Sequence, residues 1–142
     1  MTLDQRSIDA RIAKLRELTK TLKRLQGQYT RKQFFSEDLI RRYIERYLQL
    51  SLEAVLDIAD HIIAQEGYKK PEDYRQSILI LGEEKVLPKE FAKKFAPAAG
   101  FRNILVHDYL RLDPKKVFQH FQKDSGDIEK FLRHIVKFVE SK

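Results

Sequence analysis

The sequence predicts an all-α protein: an up-and-down bundle of five to seven helices built around one long central helix. Three observations carry this. Apolar residues recur at steps of three and four along most of the chain, the period of an amphipathic helix. Glycine and proline are scarce, five and four, and fall at points where such stretches start or stop. No segment alternates at period two, so no sheet is expected.

The elements follow in order. Ile8, Ile12, Leu15, Leu18, Leu22 and Leu25 mark a first helix over roughly residues 4–26, stopped near Gly27. Ser36 is placed as an N-cap, with Glu37 and Asp38 in the first turn, where anionic side chains suit the helix dipole. The helix it opens runs to about Glu66, with Gly67 as C-terminal cap. Its apolar set of Ile40, Ile44, Tyr47, Leu48, Val55, Ile58, Ala59, Ile62 and Ile63 is widened by Leu50, Leu52 and Leu56. That stripe is broader than one core requires, which suits a central helix or one that also meets a second subunit.

Pro71, followed by Glu72 and Asp73, is expected to open the next helix, whose buried part is Ile78 to Leu81. Pro88 opens another, with Phe91 and Phe95 as its apolar residues. Pro97 and Gly100 predict a kink or break there, and a fresh helix from about Ala98 through His107. Asp113-Pro114 is an N-cap and first-position pair for a helix carrying Val117, Phe118 and Phe121. Asp124-Ser125-Gly126 is expected to be a turn before a last helix with Ile128, Phe131, Leu132, Ile135, Phe138 and Val139.

With 142 residues, no internal repeat and no linker, residues 1–142 are expected to form a single domain. A 42% apolar share is enough for a core, and 35% charged residues solvate the surface. The absence of cysteine excludes disulfides and thiolate metal sites and fits a reducing compartment. No apolar run approaches the roughly 18–20 residues of a membrane helix, and Met1 to Leu25 lacks a signal-peptide core. A cytoplasmic protein without membrane association is therefore expected. Lysine and arginine outnumber aspartate and glutamate 28 to 21, a net charge of +7. Such a balance favours polyanions, and equally serves plain solubility.

Four histidines are the natural candidates for chemistry. His120 and His134 stand at helical spacing among phenylalanines and read as surface or boundary residues. Asp57 and His61 share a helix face, with Asp60 beside them, but a metal site needs about three convergent ligands. No complementary Glu-x-x-His pair occurs elsewhere, so a solvated polar face is expected there and no metal or other cofactor.

His107 stands apart. Arg102 and Asn103 precede the apolar stretch Ile104-Leu105-Val106, and Asp108, Tyr109 and Arg111 follow. Asn103 and His107 are four apart and share a helix face. Arg102 lies about 140° around the axis from His107 and reaches that face only through its long side chain. Tyr109 falls near the expected helix end. Spacing alone leaves two readings open: a hydrogen-bonded cluster that caps a helix, or a catalytic group.

The segment Phe101-Arg102-Asn103-Ile104-Leu105-Val106-His107-Asp108-Tyr109 resembles the R-x4-H-x-Y signature of the HepT toxins, a family of the HEPN superfamily. The layout of Leu52, Ala54, Leu56-Asp57-Ile58, His61-Ile62-Ile63, Gly67, Pro71, Tyr74, Leu81-Gly82-Glu83 and Asp113 is similar too. The resemblance spans about residues 36–140, and the first helix is covered less well. It implies a HEPN-like helical domain acting as a metal-independent endoribonuclease, the toxin of a type VII-like toxin–antitoxin system. Arg102 would bind phosphate and stabilise the transition state, His107 would transfer protons, and Asn103 would orient His107 or the phosphate. Two copies of the motif would line one cleft in a homodimer. An MNT-type nucleotidyltransferase antitoxin would silence the enzyme by transferring AMP to Tyr109. The alternative is a non-enzymatic helical scaffold, or a nucleotide-binding partner subunit of a nucleotidyltransferase.

Overall fold

The computed structural model describes residues 4–142, and these form helices and turns, with no strand among them. Helix α1 spans Gln5–Gln28, α2 Arg31–Ser36, α3 Asp38–Glu66, α4 Tyr74–Glu83, α5 Lys89–His107 and α6 Pro114–Glu140. A 3-10 turn, Tyr109–Arg111, bridges α5 and α6.

Helix α3 is the axis of the bundle. At 29 residues it is about 44 Å long, and it packs against α1, α2, α4, α5 and α6. Ile44, Leu48, Leu52, Val55, Ile58 and Ile62 are all at most 1% exposed along it. They meet Ile8, Leu15 and Leu22 of α1 and Ile128, Phe131 and Ile135 of α6 in one continuous core. Gly67 ends the helix at φ 71°, the left-handed conformation expected of that cap. Of the residues that widen its apolar stripe, Leu52 and Leu56 are buried in the bundle itself and Leu50 is half-buried, as suits a central helix. Leu39 and Tyr43 at the start of the helix are 84% and 42% exposed.

Several boundaries differ from expectation, each for a local reason. Residues 31–36 form a short helix of their own, because Thr30 and Gln33 make a reciprocal capping box. Ser36 therefore ends α2 rather than starting α3, and its hydroxyl donates back to the Lys32 carbonyl at 2.8 Å. Gly27 lies inside α1, which runs on to Gln28. Pro71 stays outside α4. Asp73 takes the N-cap instead, its carboxylate accepting the Gln76 N–H at 2.8 Å.

Neither expected interruption of the last two long helices occurs. Helix α5 runs unbroken through Pro97, whose ring is exposed to solvent. The carbonyl left without its helical donor belongs to Lys93, also on the solvated side. Helix α6 likewise continues through Asp124-Ser125-Gly126. Ser125 donates its hydroxyl to the Phe121 carbonyl, and Asp124 Oδ2 meets His120 Nδ1 at 2.8 Å, while its buried Oδ1 has no partner among the described residues. Both side chains thus bond one turn back within the helix, and the competition that favours a turn is weakened.

Candidate active site

The C-terminal end of α5 presents the motif. Phe101 and Leu105, one turn apart, are 3% and 4% exposed and pin this end of the helix to the core. Their burial turns Asn103, Ile104 and His107 outward. Beneath Phe101 the His120 imidazole stacks at 3.8 Å between centroids, its plane within 8°. His120 is fixed in turn by the wholly buried Asp124 carboxylate. The helix closes at Asp108, whose N–H donates to the Ile104 carbonyl at 3.1 Å. The next turn is drawn in by Arg111 donating to the Asp108 carbonyl at 2.9 Å.

Arg102 is the most constrained of the expected residues. One guanidinium nitrogen donates to Glu53 Oε1 on α3 at 3.3 Å, and the other to Asn103 Oδ1 at 3.2 Å. The group also lies 5.1 Å from the centroid of the Tyr74 ring. Glu53 is held by its own neighbour, since Gln49 donates to the same carboxylate oxygen at 3.0 Å. The guanidinium is thus directed by three elements, α3, α4 and α5, and its side chain keeps 19% exposure. A ligand can reach it.

His107 is the last helical residue and is exposed. Asn103, expected to orient it or a phosphate, accepts at its carboxamide oxygen from Arg102. Tyr109 begins the 3-10 turn directly after the helix. Its side chain lies outside the described residues. The structure therefore gathers Arg102 and Asn103 into one hydrogen-bonded group and sets His107 one turn further along the same helix. Such an arrangement offers a fixed cation for phosphoryl oxygens and an accessible imidazole for proton transfer.

Sequence reasoning missed Glu53 as the partner of Arg102. The one signal was a carboxylate in the otherwise apolar stretch Leu52 to Leu56, and an ionised side chain there needs a partner. The other acidic face, around His61, diverges. Asp57 pairs with Arg11 of α1 at 3.0 Å, and Asp60 accepts from Ser77 of α4 at 2.7 Å. His61 is held below the ordinary histidine pKa by desolvation, with the nearby Arg11 charge adding to it. Among the described residues no group of three or more His, Cys, Asp or Glu side chains converges as a metal cage would. No helix among them is long and apolar enough to cross a membrane.

Comparison with known proteins adds three relatives and a family. The model of a family described as ribonuclease HepT-like matches residues 9–135. A tRNA nuclease HepT of Aphanizomenon flos-aquae is 40% identical over 84 residues, which cover 59% of this chain. Those residues span only 55% of that relative's length. An mRNA nuclease HepT of Shewanella oneidensis is 30% identical over 125 residues, covering 87% of this chain and 94% of that protein. A solved structure, of a tri-AMPylated Shewanella oneidensis HEPN toxin in complex with an MNT antitoxin, superposes with a TM-score of 0.79. It is 28% identical and covers 92% of this chain and 96% of that one.

Proposed function

Because the chain belongs to the HepT-like ribonuclease family, we propose that it is the toxin of a type VII-like toxin–antitoxin system and acts as a metal-independent endoribonuclease. RNA carries its own nucleophile. The 2′-oxygen attacks the adjacent phosphorus, the bond to the 5′-oxygen breaks, and the products are a 2′,3′-cyclic phosphate and a 5′-hydroxyl. A base must accept the 2′ proton and an acid must supply one to the leaving 5′-oxygen. His107 does proton transfer, and Arg102 binds the phosphoryl oxygens and stabilises the charge that builds on them. Asn103 supports the guanidinium. The observation that carries this reading is the Arg102 guanidinium, held by Glu53, Asn103 and Tyr74 and still open to a ligand, on the helix that ends at an exposed His107.

One motif supplies one imidazole, and the reaction needs a base and an acid. A homodimer that joins two motifs in one cleft meets the need. Ile104, 40% exposed within the motif, and Leu110, 96% exposed just beyond it, are apolar surface suited to such a contact. Control follows from Tyr109. An MNT-type nucleotidyltransferase acting in the same cytoplasm transfers AMP to its hydroxyl. The added phosphate and base occupy the ground beside Arg102 and His107 and repel an RNA backbone. The AMP-bearing relative bound to an MNT antitoxin supports this.

The test is cleavage of total RNA by the purified protein in excess chelator, with the ends mapped chemically. Cyclic phosphate ends that vanish in His107→Ala, with melting temperature and oligomeric state unchanged, are expected. Undiminished cleavage by the variant would refute the active-site assignment. A wild type that binds nucleotides and cuts nothing would favour the scaffold alternative.

A further inference from the structure

A cavity of about 720 Å³ opens between the C-terminal half of α3, the loop after it and the start of α4. We propose that it is the base pocket of the ribonuclease site and takes the guanine beside the scissile phosphate, an assignment that rests on the function proposed above.

Position comes first. Tyr74 and Asn103 line the cavity, and both are partners of the Arg102 guanidinium. The cavity therefore begins where the phosphate would be held. Single-stranded RNA is read by bases that leave the stack, rest on aromatic rings and bond through their Watson–Crick edges. Tyr68 and Tyr74 supply the rings, with Ile63 and Pro71 completing an apolar wall.

Charge then narrows the ligand. Three carboxylates, Asp60, Glu72 and Asp73, face the cavity against one ammonium, Lys70. That balance repels phosphate and suits a neutral group with N–H donors. Asp73 is already committed to capping α4. Asp60 is different. Its Oδ1 accepts from Ser77, which is 1% exposed and so fixed, while its Oδ2 has no hydrogen-bond partner among the described residues. A carboxylate held in this way accepts two adjacent donors. Guanine presents such a pair, N1–H beside the 2-amino group. Adenine and cytosine set an amino group beside a ring nitrogen that carries a lone pair, and uracil sets its N–H between two carbonyls. Each of these places a lone pair against the carboxylate. Asp60 is exposed, so the discrimination comes from the repulsion between the carboxylate and a facing lone pair, is partly screened by water, and is expected to be moderate.

The experiment titrates the full-length protein with the four nucleoside 3′-monophosphates by calorimetry, which needs no turnover. Guanosine 3′-monophosphate is expected to bind at least about tenfold tighter than the others. Asp60→Asn should bring the four within about twofold at an unchanged melting temperature, and Tyr68→Leu should weaken all of them. Equal affinities in the wild type, tightest binding of adenosine, or an undiminished guanosine preference in Asp60→Asn would each overturn the proposal. RNA cleavage lost in His107→Ala without any base preference overturns the pocket and leaves the ribonuclease. Guanosine selectivity in a protein that cuts no RNA overturns the ribonuclease and leaves the pocket.

Discussion

The Arg102 guanidinium is aimed by a carboxylate that also competes with its proposed ligand. Glu53 sits 3.3 Å from it and keeps 34% side-chain exposure, so the pair is screened by water and is worth at most about 1 kcal/mol. A phosphate entering the site must displace that carboxylate from at least one nitrogen. Glu53→Gln retains an acceptor and removes the negative charge. In a His107→Ala background, which stops turnover, this change should tighten RNA binding about two- to fivefold at low salt, the equivalent of that ion pair. Filter binding at 50 and 200 mM salt measures it, and an affinity that is unchanged or weaker would contradict the competition. The site was legible in part. Arg102, Asn103, His107 and Tyr109 are close in sequence, and their likeness to the R-x4-H-x-Y signature marks them as candidates where spacing alone left two readings open. Glu53 is 49 positions from Arg102, and no local pattern reports a contact made only when α3 and α5 pack. The same holds for Tyr74, which contributes a ring from α4.

At the scale of elements, the pairing of α4 with α5 decides where the site stands. The two cross at Gly82, where a Cβ would come within 2.6 Å of the Ala92 Cβ, a rigid stub that cannot turn aside. Gly82→Ala must force the helices apart, at a cost of about 1–3 kcal/mol, and a melt followed by circular dichroism should fall by roughly 3–10 °C. Gly100 is the control. A Cβ there would meet Arg75 Nε at 2.7 Å, the far end of a flexible side chain, which can move. Gly100→Ala should keep or raise the melting temperature, since alanine is favoured in a helix by about 0.8–1 kcal/mol. Equal losses in both would mean that helix propensity and side-chain freedom do not set the difference. The helices themselves were readable, because 3.6-residue periodicity survives packing. Their ends were readable in part: Gly67 closes α3 and Asp113-Pro114 opens α6 as expected, and other boundaries differ. Pro97 and the 124–126 stretch look like breaks only while the solvent side of α5 and the internal bonds of Asp124 and Ser125 are unknown. Ser36 looks like a cap only while the Thr30 and Gln33 box is unrecognised.

Over the whole molecule the question is how one motif becomes a complete catalyst. A net charge of +7 would draw the proposed RNA substrate by long-range attraction, but attraction supplies neither a second imidazole nor a walled cleft. Large apolar side chains left in water indicate where the remainder comes from. Leu39 and Tyr43 stand exposed on the first turns of α3, and Ile104 and Leu110 at the far end of α5 and the turn beyond. A symmetric contact that covered any of them would bury the same residue on both subunits. Ile104 is the informative one to alter, because it lies inside the motif yet bears no group used in proton transfer or phosphate binding. Ile104→Glu would put a charge in the exposed apolar surface through which the proposed dimer would join. The 16.9 kDa chain should then run as a monomer in light scattering, where the wild type runs at twice that mass. RNA cleavage should drop by at least about 100-fold, the scale of losing one proton-transfer group. Its helical content and cooperative melt should persist, because Ile104 faces away from the core. A monomeric Ile104→Glu that cleaves like the wild type would show that a single motif suffices, and that the exposed apolar face serves something other than catalysis.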